Sequence, residues 1–131
     1  MDFKFIKQYD EDEIISMPST SLAFVGDAFF TLYARVKVLN TKAKSGKFHK
    51  EATKIVNAHS QSEFLEKIKN SLTETEQDIV RRAKNTHTNS KSKNSGLADY
   101  KKSTGFEALV GYLFLTNQKE RLNEILNSLE E

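Results

Sequence analysis

Cysteine is absent from all 131 residues. Its absence excludes disulfides, thiolate metal sites and a cysteine nucleophile, and suits an intracellular chain. There is also no apolar run long enough to cross a bilayer, and the start of the chain, Met1-Asp2-Phe3-Lys4, does not have the shape of a secretory signal. We therefore expect a cytoplasmic protein with no membrane contact. Net charge is only +2, so the distribution of charge matters more than its sum. What remains, 37% hydrophobic and 29% charged residues, suffices for one soluble domain over residues 1–131 with one core.

The dominant stretch is Ser21-Leu22-Ala23-Phe24-Val25-Gly26-Asp27-Ala28-Phe29-Phe30-Thr31-Leu32-Tyr33-Ala34. Pro18 precedes Ser and Thr residues able to cap a helix, so a helix is expected from near Thr20 to near Leu39. It is apolar almost all round, which requires burial in a larger body or a shared surface with a partner. Asp27 lies about two turns inside it. An ionised carboxylate in apolar surroundings is costly unless something meets it, so Asp27 calls for a cation, a capping group or a metal.

The rest of the chain also reads as helical. Asp10 to Glu13 form an acidic clump suited to the first turn of a short helix. Phe48, Ala52, Ile55, Val56, Ala58, Phe64, Leu65 and Ile68 fall at helical spacing between Lys47 and about Lys69. Thr73 with Glu76 forms a capping-box pattern, with Ile79, Val80 and Ala83 on the apolar side of the helix it opens. Residues 86–99 are rich in Ser, Thr, Asn and Gly and read as a loop. A last helix, from about Thr104 to Leu115, carries Glu107.

Charge is lopsided around the loop: Arg81, Arg82, Lys84, Lys91, Lys93, Lys101 and Lys102 face the single acid Asp99. This is either a solvated polar loop or a basic arm that meets a phosphate backbone. No Phe or Trp is interleaved, so phosphate and 2′-hydroxyl contacts to a duplex fit better than stacking on single-stranded bases. Glu107 likewise has two readings, because Thr104-x-x-Glu107 is also a capping-box pattern. The other reading pairs it with Asp27 around a divalent cation, where two expensive carboxylates satisfy one another. Oxygen donors favour Mg²⁺ over zinc, and His49, His59 and His87 have no metal spacing.

These residues carry a resemblance. Leu22-Ala23-Phe24-Val25-Gly26-Asp27-Ala28 resembles the signature helix L-E-F-L-G-D-A of the ribonuclease III family. Tyr100-Lys101-Lys102-Ser103-Thr104-Gly105-Phe106-Glu107-Ala108-Leu109-Val110-Gly111-Tyr112 resembles the family's second acidic motif, D-x-x-E-A-L-x-G. Phe48-His49-Lys50-Glu51-Ala52, Val56-Asn57 and Val80-Arg81-Arg82-Ala83-Lys84-Asn85 fall in order between them. The similarity spans nearly the whole chain and is closest to the short bacterial branch, Mini-ribonuclease III, which has the catalytic domain alone. Two of the family's four acidic positions are Ala23 and Thr104 here, losses that the short branch shares.

The resemblance implies an all-α ribonuclease III catalytic domain, a homodimeric helical bundle with no double-stranded RNA-binding domain. It implies an endoribonuclease that cuts double-stranded RNA to 5′-phosphate and 3′-hydroxyl ends, with Asp27 and Glu107 holding Mg²⁺ and Mn²⁺ as an alternative ion. The implied substrate is the precursor of large-subunit (23S) ribosomal RNA, with a ribosomal protein as a further partner. Lys84, Asn85, Lys91, Lys93 and Lys101 are the expected RNA contacts. Gly26 and Gly105 would admit a close approach of backbone and ion, or serve helix packing. Two other classes stay open. One is a catalytically silent RNA-binding or ribosome-associated domain on the same fold. The other is a helical interaction protein in which Asp27 pairs with Arg35 or Arg82 and Glu107 is only a cap.

Overall fold

A computed structural model describes residues 3–39, 42, 44–86 and 96–130. Seven α-helices make up the described chain: α1 (Glu11–Ile15), α2 (Ser19–Val38), α3 (Phe48–Val56), α4 (Ala58–Ile68), α5 (Glu74–Lys84), α6 (Gly96–Leu115) and α7 (Lys119–Ser128), with short 3-10 turns at Ser45–Lys47 and Lys69–Ser71. No strand occurs among the described residues.

Local chemistry accounts for most of the boundaries. Asp10 caps α1, accepting from the Glu13 backbone N–H at 2.8 Å, while the Glu13 carboxylate reaches back to the Asp10 N–H. Thr73 and Glu76 do the same for α5. The helical stretch between Lys47 and Lys69 is broken at Asn57, whose extended backbone ends α3 and whose side chain caps α4 through the Ser60 N–H at 2.8 Å. α2 starts at Ser19, one residue earlier than expected. Pro18 occupies the capping position and no hydroxyl caps the helix.

The larger correction concerns α6. It begins at Gly96, so Gly96-Leu97-Ala98-Asp99 is its first turn and not the end of a loop. Thr104 is then mid-helix, and its hydroxyl donates to the Tyr100 carbonyl at 3.0 Å instead of capping anything. At its far end α6 stops where Asn117 takes a left-handed φ of 58° and Gln118 N–H donates back to the Leu113 carbonyl at 2.9 Å. That turn leads into α7, a helix the sequence reading did not separate.

α6 is the axis of the domain: from Ser103 to Leu113 only Glu107 is not buried. α2, α4, α5 and α7 pack around it. Phe30, Phe64 and Phe106 knit α2, α4 and α6 together, with Phe30 edge-on to Phe106 at 5.0 Å between ring centres. Phe30 and Phe106 are fully buried, so truncating either to Ala removes about 3–5 kcal/mol.

Candidate active site

Two glycines set the geometry. A Cβ added to Gly26 would lie 1.7 Å from the Glu107 carbonyl oxygen, and one added to Gly111 would lie 2.0 Å from the Leu22 carbonyl oxygen. α2 and α6 therefore cross backbone against backbone, closer than any side chain allows. Gly26 precedes Asp27, and the carbonyl it touches belongs to Glu107. The same contact that lets the helices cross brings the two carboxyl groups together. Gly105 serves a different packing, since its missing side chain leaves room for Val80 and Lys84 of α5. Helix packing thus accounts for both Gly26 and Gly105.

Asp27 and Glu107 line one cleft of about 460 Å³ between α2, α6 and the α3–α4 break. Asp27 is exposed and Glu107 half-buried, so Asp27 is not embedded as its apolar neighbours suggested. α2 turns one face to the core and leaves Phe24, Leu32 and Val36 exposed on the other. Burial, and then the Asp27 carboxylate hydrogen-bonded beside it, raise Glu107 to about 8, while a hydrogen bond from Gln61 acts in the opposite direction. Among the described residues the cleft lining includes no Lys or Arg. Arg82 is committed elsewhere, donating to the Ile15 and Met17 carbonyls, and Arg35 is about 12 Å along α2 from Asp27. The pairings proposed for a purely structural Asp27 therefore do not form, and the capping role of Glu107 is excluded by Thr104 being mid-helix.

This donor set fits a hard divalent cation: two facing carboxylates, no competing cation among the described residues, and a buried amide beside them. Among the described residues no group of three or more His, Cys, Asp or Glu is placed to hold a metal. An ion here would therefore take its remaining ligands from water and substrate, as Mg²⁺ commonly does. Ala23 and Thr104 line the same cleft. Acidic side chains at those positions would join the same constellation.

Of the remaining candidates, those described do not line the cleft of the acids. Lys84 and Asn85 line a separate recess between α4 and α5, and Lys101 is half-buried on α6. Lys91 and Lys93 fall outside the described residues. Of the histidines, His59 bridges Asp99 at 3.0 Å and Glu63 at 3.5 Å, which raises its pKa and ties α4 to the first turn of α6. Sequence reasoning missed three residues. Gln61 interrupts the apolar stripe Ala58, Leu65, Ile68 of α4, and that polar interruption was the available signal. Tyr100, half-exposed, forms part of the cleft lining. Gly111 was quoted in the motif without a role, although glycine inside an apolar helix asks for a packing reason.

Comparison with known proteins assigns the family. Residues 20–118 match the model of the Ribonuclease III domain. The chain belongs to the ribonuclease III family. It is 42% identical over 117 residues to Mini-ribonuclease 3 of Thermoanaerobacter, spanning 88% of this chain and 82% of that one. It is 38% identical over 112 residues to Mini-ribonuclease 3 of Staphylococcus aureus, spanning 83% and 84%. An X-ray structure of a Fusobacterium nucleatum protein superposes with a TM-score of 0.77 at 33% identity, covering 88% of this chain and 93% of that one. Family membership places the chain among the ribonuclease III endoribonucleases, on the all-α catalytic fold of that family.

Proposed function

We propose that the chain is a Mg²⁺-dependent endoribonuclease of double-stranded RNA, acting in the cytoplasm on the precursor of 23S ribosomal RNA, with Asp27 and Glu107 as the metal-holding residues. The observation that carries this reading is the meeting of two carboxylates from separate helices in a cleft that no Lys or Arg lines among the described residues. The names of the relatives support it. A bound Mg²⁺, or Mn²⁺ in its place, supplies Lewis acidity toward the scissile phosphate and lowers the pKa of water at neutral pH. Asp27 and Glu107 would hold it. The Gly26–Gly111 crossing keeps the two carboxyl groups at a fixed separation. The products are 5′-phosphate and 3′-hydroxyl ends.

Homodimerisation has its own support in the stripe Phe24, Leu32, Val36 and Leu39, exposed by 54–81% along α2. A monomer in water gains nothing from that surface, and a two-fold partner would cover it. Lys84, Asn85 and Lys101, with Lys91 and Lys93 from outside the described residues, would meet the RNA backbone. Each phosphate neutralised adds roughly 0.7–0.9 to the salt slope of log affinity. A ribosomal protein that arranges the precursor is a further partner of this reading.

One observation favours a second reading. The cleft holds two carboxylates, with Ala23 and Thr104 beside them, so a silent RNA-binding domain on this fold is the alternative. Cleavage of a long RNA duplex with Mg²⁺ by wild type, Asp27→Asn and Glu107→Gln separates the two, with melting curves for all three. The nuclease reading expects both folded variants to fall by at least about 100-fold. Wild-type protein that binds duplex without cutting it, with Mg²⁺ present, selects the silent domain.

A further inference from the structure

We propose that Gln61 is a positioning residue of the metal site: its side-chain amide, anchored on the Val56 carbonyl, fixes the Glu107 carboxyl group in the orientation from which it holds the ion. The inference rests on Asp27 and Glu107 being the metal-holding pair. Gln61 is 2% exposed and lines the cleft. Its Nε2 donates to the Val56 carbonyl at 2.7 Å, across the break where α3 ends and α4 begins. Glu107 lines the same cleft, and the Gln61 amide acts on it as a hydrogen-bond donor, drawing its pKa down against burial. Its Oε1 is the buried side-chain polar atom left without a hydrogen-bond partner among the described residues.

The orphaned oxygen explains how the amide is held. The Val56 carbonyl can only accept, so it fixes which way the amide faces, with an N–H turned to Val56 and Oε1 left without a partner. Turning the amide over would set oxygen against the Val56 carbonyl. A residue needed only to close the α3 end would spend one N–H on Val56 and require nothing of Glu107. Here the amide also stands on the wall of the cleft that holds the half-buried acid and Asp27. Glu107 thus shares its cleft with a neutral amide that is itself held in place by the Val56 carbonyl. Hydrogen-bonding partners of ligating carboxylates fix their orientation, and their removal weakens metal binding about 10–100-fold.

Binding of Mn²⁺ alone to the full, RNA-free chain tests this, read by electron paramagnetic resonance beside metal-free melting curves. Gln61→Met keeps the shape and removes the donor. We expect its Kd for Mn²⁺ to rise about tenfold or more, together with a modest fall in the metal-free melting temperature from the stranded Val56 carbonyl. Should Gln61→Met not fold, Gln61→Asn keeps the amide but withdraws it by one carbon, and the same weakening is expected. Mn²⁺ affinity within twofold of wild type in either folded variant, while Asp27→Asn has lost binding, overturns the role of Gln61 and leaves the metal pair standing. A lowered metal-free melting temperature with unchanged Mn²⁺ affinity is the signature of a purely structural glutamine and overturns it equally. Wild type that binds Mn²⁺ no better than Asp27→Asn and Glu107→Gln removes the metal pair itself, and this inference with it.

Discussion

Thr73-x-x-Glu76 and Thr104-x-x-Glu107 share a pattern, and both glutamates sit largely out of water, yet their surroundings push them in opposite directions. Glu76 caps its own helix through Thr73 and receives Arg121 at 2.8 Å and 2.9 Å. Against burial, which acts upward, those hydrogen bonds hold it below the usual carboxylate range. Glu107 has no cap and no arginine. Burial and Asp27 raise it to about 8. A carboxylate placed for stability brings its own cation, whereas the Asp27–Glu107 pair leaves room for one from outside. The routes of approach differ as well. Arg121 reaches Glu76 with a long side chain from α7, and Asp27 reaches Glu107 because two helix backbones touch at glycine.

The largest expected effect comes from breaking that touch. Gly26→Ala puts a methyl carbon 1.7 Å from the Glu107 carbonyl oxygen, so α2 and α6 must separate. We expect a loss of more than about 4 kcal/mol in stability, read by denaturant unfolding. Near-wild-type stability would show that the crossing can slide, and the fixed separation of the two acids would no longer follow.

The two glutamates also predict opposite pH limbs for the metal-free protein. Glu107 has a folded value near 8 against an ordinary 4.5, so the folded state holds its proton more tightly than the unfolded one. Stability from this group is full below about pH 4.5 and declines as pH rises toward 8, by about 3 kcal/mol after allowing for solvent screening. Glu76 is lowered, so its contribution is present above the ordinary carboxylate value and is lost as pH falls through its folded value. Mg²⁺ should flatten the upper limb by favouring ionised Glu107 and leave the lower limb alone. Melting curves from pH 3 to 9, with and without Mg²⁺, check both; an upper limb that ignores Mg²⁺ would speak against an ion at Glu107.

Next in size is Arg121→Met, which strands Glu76 with only its cap. The carboxylate side chain is 3% exposed and the arginine 21%, so about 2–3 kcal/mol should be lost, at the low end for a broken buried pair. Mg²⁺-dependent cleavage by the folded variant should stay at the wild-type level, because α7 supplies nothing to the cleft lining. A parallel loss of cleavage would mean that the two glutamates are not independent.

How much of this was legible in the sequence follows from the same pair of motifs. Helical spacing revealed the all-α class, and the Thr73–Glu76 box was visible because the pattern sits where an apolar run begins. At Thr104 the identical pattern was misleading. The Ser- and Asn-rich stretch before it hid that Leu97, Ala98 and the acid Asp99 already open α6. Asp27 and Glu107 were legible as anomalies, carboxylates on otherwise apolar helices. Their partners were not. Gly111 and Gln61 lie on different helices from Asp27, and only the crossing of α2 over α6 brings them to one place. The break at Asn57 was missed because Asn is compatible with both a helix interior and a cap, and the apolar spacing continues across it.

The smallest effect sharpens the comparison most. Asp27→Asn removes the charge that opposes ionisation of Glu107 and keeps a side chain that can hydrogen-bond it. At pH 6 Glu107 is protonated in the wild type, so the substitution should be nearly neutral for the metal-free fold. At pH 8.5, where Glu107 ionises beside Asp27, the variant should be more stable than wild type by about 1 kcal/mol. Arg121→Met destabilises, so the two single substitutions should shift stability with opposite sign at high pH. Mg²⁺ should erase the advantage of Asp27→Asn, because the wild type then gains from the ion what the variant gained by losing the charge. If Asp27→Asn instead lowers the metal-free melting temperature across the whole range, Asp27 is holding the fold together, and Glu107 resembles Glu76 after all.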